Sequence, residues 1–189
     1  MKLELWFPCK PLKINQVFGI NPDVYKPLGL NGHNGIDFGA YHGQPVRAAH
    51  EGIVVYAGMD SKEGIGVVIR TIKPFDYNGE TAYFKTIYWH LINNVPVKVG
   101  QVVKFGDIIG YADNTGFSTG DHLHFGLKPQ AKGENDWTWW NIEQNNGYAG
   151  SIDPIPYFNG FCAEDGRSWF AQLAEISKKV AQLLLLFKK

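Results

Sequence analysis

Short runs of β-branched and aromatic residues, each closed off by Gly, Asn, Asp or Pro, follow one another through the first two thirds of this chain. Val46 to Tyr56, Gly66 to Ile72, Tyr83 to Leu91, Val95 to Val103, Ile108 to Ala112 and His122 to Leu127 are such runs. Segments of this kind suit short strands, and the 22 glycines suit the tight turns that join them, because glycine reaches positive φ without a steric penalty. Regular spacing predicts an all-β fold, an antiparallel β-sandwich or barrel-like arrangement, over a helical bundle. From Ser168 onward the pattern changes. Trp169, Leu173, Ile176, Val180, Leu183 and Phe187 recur in steps of three and four, which predicts a C-terminal amphipathic helix. The expected organisation is one domain over 1–160 and a helical tail over 161–189. The apolar stripe of that tail would pack on the domain, self-associate or lie on a membrane surface, the last helped by Lys178, Lys179, Lys188 and Lys189.

Two stretches read as insertions. Residues 73–85 contain Pro74, Asp76, Asn78 and Gly79 and suit an extended hairpin tip. Residues 128–153 hold Trp137, Trp139 and Trp140 among Asn, Gln and Gly, and are longer than a bare connection needs. Those tryptophans would be stacking platforms or a small satellite core.

Lys and Arg total 18 and Asp and Glu total 18, so the formal charge is zero. With no dense basic block over the β-rich part, a nucleic-acid partner is excluded. Cys9 and Cys162 lie far apart and outside any Cys-x-x-Cys pattern, and are expected as two free thiols. Glu4 and Pro8 interrupt the start where a secretory signal would be apolar, so no signal peptide is read. No stretch reaches the roughly 20 apolar residues of a membrane-spanning helix. The expectation is a soluble protein made in the cytoplasm.

The histidines carry the chemistry. His122 and His124 stand one residue apart in a β-prone segment, so a strand turns both imidazoles to one face. Upstream, His33 and Asp37 stand four apart, and His90 lies between the two motifs. A catalytic zinc site keeps three protein ligands and one open position, where the metal polarises a carbonyl and acidifies water. His33, Asp37 and His124 make such a set for one zinc ion per chain. His90 and His122 remain for proton transfer and oxyanion stabilisation, in an order the residues leave open. His42 and His50 read as surface or core histidines. Asn31, Asn34, Asp113, Asn114 and Asp121 are explained as well by turn formation as by binding.

The segments Gly32-His33-Asn34-Gly35-Ile36-Asp37-Phe38, Pro45 to Val54, Tyr88-Trp89-His90-Leu91, Val99 to Gly110 and Thr119 to Phe125 resemble, in order and spacing, the lysostaphin-type (LytM-like) zinc metallopeptidases. The likeness runs over roughly residues 14 to 128, with Asp153 to Tyr157 resembling the closing strand region. It implies a mostly antiparallel β fold of the duplicated hybrid motif type. It also implies zinc held by His33, Asp37 and His124, catalysis by His90 and His122, and cleavage of stem or cross-bridge peptides in bacterial peptidoglycan. All five positions are filled. Joined to the missing signal peptide, the resemblance points to an enzyme that reaches the wall after release, as a phage lysin or virion-carried hydrolase does.

Two other readings stand beside the enzyme. A murein-binding activator would keep the zinc ligands without turnover. A phosphohistidine or group carrier shares the broad sandwich type and the glycine-punctuated segment Val99 to Gly110, but has no use for Asp37 and lacks a lysine in a Met-Lys-Met turn.

Overall fold

The structure is a computed structural model that describes residues 1–10, 13–132 and 139–162. Its strands, in chain order, are β1 (Leu5–Phe7), β2 (Ile14–Gln16), β3 (Ile36–Gly39), β4 (Pro45–Arg47), β5 (Gly52–Asp60), β6 (Gly64–Thr71), β7 (Phe75–Tyr77), β8 (Glu80–Trp89), β9 (Val102–Val103), β10 (Ile108–Tyr111), β11 (His122–Lys132), β12 (Trp139–Asn141) and β13 (Phe158–Cys162). One four-residue helix, α1 (Pro22–Tyr25), precedes β3.

The longest strand, β11, organises the main sheet. It pairs with β8 from His124 opposite Trp89 to Gln130 opposite Tyr83, and with β3 from His122 opposite Gly39 to Phe125 opposite Ile36. The sheet order is β2-β3-β11-β8-β6-β5-β9, with β12 added to β11 and β7 to β8. Side chains alternate strictly along β11. Leu123, Phe125 and Leu127 are fully buried, while His122, His124, Gly126, Lys128 and Gln130 take the opposite face. The cross-strand pairs carry the same division into β8 and β6. Phe84, Tyr88, Val67 and Ile69 join the core, and Trp89, Ile87, Lys85, Gly66, Val68 and Arg70 share the face of the histidines.

Two small ladders, β1–β13 and β4–β10, belong to separate sheets, and their residues cover the core face. Leu5, Val46 and Ile109 join the core cluster, and Phe7 stacks on Phe158, which in turn touches Phe38 and Phe125. Each large apolar side chain buried in this way contributes about 1.5–3 kcal/mol. Tyr88 is buried with its hydroxyl accepting from the Ala49 amide at 2.9 Å, so its polar end is satisfied.

The all-β, antiparallel expectation holds, with three corrections. The main sheet is open, so the fold is no closed barrel, and β1 pairs with β13 in parallel. The run Val46 to Tyr56 breaks into β4 and β5, because Ala48 and Ala49 bond to Asp107, Gly106 and Trp6 while the chain changes sheets. The run Val95 to Val103 keeps only a two-residue strand. Its middle forms a turn with Gly100 at φ +87°. Residues 73–85 form the expected hairpin, turning at Asn78 and Gly79, both at positive φ. In the described part of 128–153, β11 continues to Lys132 and β12 folds back on it. The C-terminal amphipathic helix lies outside the described residues, as does Trp137. No helix among the described residues is long and apolar enough to cross a membrane.

Candidate metal centre

The β3–β11 register sets Asp37 directly opposite His124, and the chain entering β3 brings His33 to the same point. His33 Nε2 lies 3.0 Å from His124 Nδ1 and 3.1 Å from Asp37 Oδ1, and His124 Nδ1 lies 3.1 Å from the same oxygen. All three residues are buried. A tetrahedral zinc with N and O ligands at about 2.0–2.1 Å needs ligand atoms about 3.3 Å apart. The triangle is close to that size.

Backbone carbonyls decide which ring nitrogen each histidine offers. The Nδ1 of His33 donates to Val17 O (3.2 Å), that of His90 to Thr115 O (2.7 Å) and that of His122 to Gly120 O (2.8 Å). A neutral imidazole with its proton on Nδ1 presents a lone pair at Nε2. In that tautomer His33 Nε2 and Asp37 Oδ1 face each other as two lone-pair donors at 3.1 Å. A cation between two such lone pairs would be held by both, so the donor set fits a metal ion. Zinc suits it by ligand type, with two imidazole nitrogens, one carboxylate oxygen and no thiolate.

His122 and His90 complete the cluster. Their ring centroids are 4.5 Å apart, and His122 Nε2 is 3.6 Å from Asp37 Oδ1. Burial pushes the His90 ring down to about 4, against the opposing effect of its bond to Thr115, so it is neutral near pH 7. Burial works to raise the Asp37 carboxyl, but the facing His124 and His33 rings outweigh it and hold the group below the ordinary carboxylate range. The centre therefore holds an ionised Asp37 carboxylate beside a neutral His90 ring.

Several residues that hold this geometry carry no motif signal. Tyr25 stacks on His33 with centroids 5.3 Å apart, and Gln16 Nε2 donates to its hydroxyl. Thr115 ties the His90 corner: its hydroxyl donates to Leu91 O (2.8 Å) and accepts from Ile65 N (3.0 Å). His90 itself has φ +64°, a conformation that costs a non-glycine residue on the order of 1 kcal/mol. Gly66 leaves room for the Trp89 ring, which a Cβ there would meet at 1.8 Å. Gly64 and Gly116 let the β5–β6 turn meet the loop before His122, since a Cβ on either would lie within 2.4 Å of the other segment's backbone.

The five residues singled out from the sequence, His33, Asp37, His90, His122 and His124, thus meet in one place. His50 is buried elsewhere, bonded to Glu51 O and Thr86 Oγ1. His42 is exposed and paired with Asp113 at 2.9 Å. Trp139 packs edge-on against Tyr83 and under the Arg70 guanidinium, and Trp140 is exposed.

Comparison with known proteins agrees with this geometry. The chain is 41% identical over 104 residues to the glycyl-glycine endopeptidase ALE-1 of Staphylococcus capitis, covering 52% of this chain and 26% of that protein. The chain spans about a quarter or less of the curated relatives it first matches. In structure it resembles the catalytic domain of lysostaphin from Staphylococcus simulans, with a TM-score of 0.56 and 30% identity over 77% of this chain and 91% of that one. A zinc-containing peptidase from Vibrio cholerae superposes with a TM-score of 0.57 and 25% identity, over 88% of this chain and 41% of the other. The model of peptidase family M23 matches residues 31–136, more than half the chain and all five converging side chains, and the protein is therefore a member of that family.

Proposed function

We propose that this protein is a zinc metalloendopeptidase that hydrolyses peptide bonds in the stem or cross-bridge peptides of bacterial peptidoglycan. One observation carries the reading. Three donor atoms close a triangle of 3.0–3.1 Å beside two further imidazoles whose Nδ1 protons are engaged by backbone. His33, Asp37 and His124 would hold the ion, which would polarise the scissile carbonyl and acidify a water molecule.

The other residues do the proton work. His122 offers Nε2 as a proton acceptor, with the Asp37 carboxylate 3.6 Å away to face the charge the ring takes up. His122 would thus take up the proton and return it to the leaving amine. His90, neutral and fixed by Thr115 O, accepts a hydrogen bond from the nucleophile or the scissile amide and orients it. A phosphohistidine carrier would have no use for a carboxylate wedged between two histidines. The likeness to a glycyl-glycine endopeptidase and to an antimicrobial peptidase supports a peptide-bond substrate.

Incubation with purified sacculi, with and without chelator, tests the proposal. New amino groups should appear, vanish with chelator and be absent with His122→Ala. Bound zinc without released amino groups across several murein chemistries would favour the activator reading.

A further inference from the structure

Along the face that carries the histidines, the register sets Arg70, Lys85 and Lys128 side by side on β6, β8 and β11. Lys128 lies four residues beyond His124 on the same strand, about 13 Å away at strand rise. Like charges placed directly opposite one another destabilise a sheet. Both lysines are half-buried, and neither has a carboxylate within ion-pair distance among the described residues. Burial, aided by Arg70 for Lys85 and by Lys85 for Lys128, disfavours both charges, and only Glu63 acts on Lys128 in the other direction. Two adjacent half-buried ammonium groups weaken the fold unless an anion meets them.

A second observation points to the same place. Gln130, the next residue on that face, is 1% exposed, and its Nε2 donates to Asn141 Oδ1 at 3.2 Å. Its Oε1 is buried with no hydrogen-bond partner among the described residues, a state that costs about 1–3 kcal/mol. Gln130, Lys85 and Trp139 line one cavity of about 370 Å³. The missing partners are therefore an anion for the lysines and an N–H donor for the glutamine oxygen.

We infer that Lys85, Lys128 and Gln130 form a subsite for an acidic residue of the peptide substrate, its carboxylate taken by the two ammonium groups and a neighbouring amide N–H by Gln130 Oε1. Trp139, whose ring lies under the Arg70 guanidinium, lines the same cavity. The subsite rests on the peptidase reading and narrows its substrate to peptides bearing a free carboxylate several residues from the cleaved bond.

The test uses two synthetic stem-type peptides, Ala-γ-D-Glu-Lys-D-Ala with its C-terminus amidated, one keeping the glutamyl α-carboxylate and the other carrying a carboxamide there. Calorimetric titration into the full chain, with and without zinc, should show the acid form binding at least tenfold more tightly. That ratio should shrink with salt and disappear in Lys85→Met/Lys128→Met, whose melting temperature should be unchanged or raised. Equal affinities, no binding of either peptide at millimolar concentration, or discrimination that survives in the double variant would overturn the subsite. Sacculi cleaved without discrimination would sink the subsite and leave the peptidase standing. Discrimination without cleavage would do the reverse.

Discussion

Gly35 lies between two of the proposed metal ligands, and replacing it with alanine measures how tightly the centre is built. A Cβ at this position would stand 2.5 Å from Phe125 O and 2.7 and 2.8 Å from His124 Cε1 and Nε2, where ordinary contact begins at 3.4 Å. The deficit is roughly 0.6–0.9 Å on both sides. Phe125 cannot yield easily, because it is paired with Ile36 on one side and Tyr88 on the other. The His124 ring must move instead, by more than the ±0.2 Å or so that a zinc site tolerates. Disturbing the support of a ligand typically costs 10–100-fold in metal affinity, and overpacking a rigid site costs about 1–3 kcal/mol of stability. Gly35→Ala should therefore weaken zinc binding by about 10–100-fold in competition with a chromogenic chelator, measured well below its melting temperature. Gly126→Ala is the control on the same face: its Cβ would meet Ile87 at 3.4 and 3.5 Å, and affinity should stay within about twofold. Parental zinc affinity in Gly35→Ala would refute the idea that close approach of this backbone to His124 sets the ligand geometry.

Four other outcomes are expected. His122→Ala and His90→Ala should each lower the rate of sacculus cleavage by about 10²–10⁴-fold while retaining zinc by elemental analysis; loss of zinc in either would move that residue into the ligand set. Thr115→Val should remove both hydroxyl bonds at the His90 corner, cost about 1–3 kcal/mol in urea unfolding and reduce turnover more than zinc affinity. Saturating zinc should raise the unfolding free energy by about 4 kcal/mol at a thousandfold excess over its Kd, so an unchanged melting temperature in chelator would argue against a folded-state metal site. His50, buried and pushed down to about 4 by desolvation, is depressed relative to an unfolded value of about 6.5. Its contribution of about 3 kcal/mol is complete above pH 6.5 and lost as pH falls toward 4. Urea unfolding in chelator should show this loss, and His50→Gln should flatten it.

The chemistry of this protein is legible in its residues because metal ligation demands particular donors at particular spacings. His-x-His on a strand puts two imidazoles on one face by period alone, and His33 with Asp37 supplies the remaining donors. The β character is equally local, since glycine-bounded runs of Val, Ile, Tyr and Phe have few other uses. Partners across the sheet are not local. Nothing within β11 states that Asp37 lies opposite His124, that β1 runs parallel to β13, or that the sheet stays open. Those follow from which apolar faces bury against one another, a property of the assembled core. The supports of the centre escaped for the same reason. Thr115 and Gly35 act through atoms far away in the chain, the latter through the empty space it leaves, and Tyr25 through a ring stack that needs the folded loop. So did the cationic row, whose lysines are ordinary in sequence and become costly neighbours only when three strands align. Composition and spacing thus determined which donor atoms are available to the candidate centre. Tertiary packing decided how far apart they stand, which nitrogen each ring presents and what lies along the face they share, because those quantities depend on long-range register that no local pattern encodes.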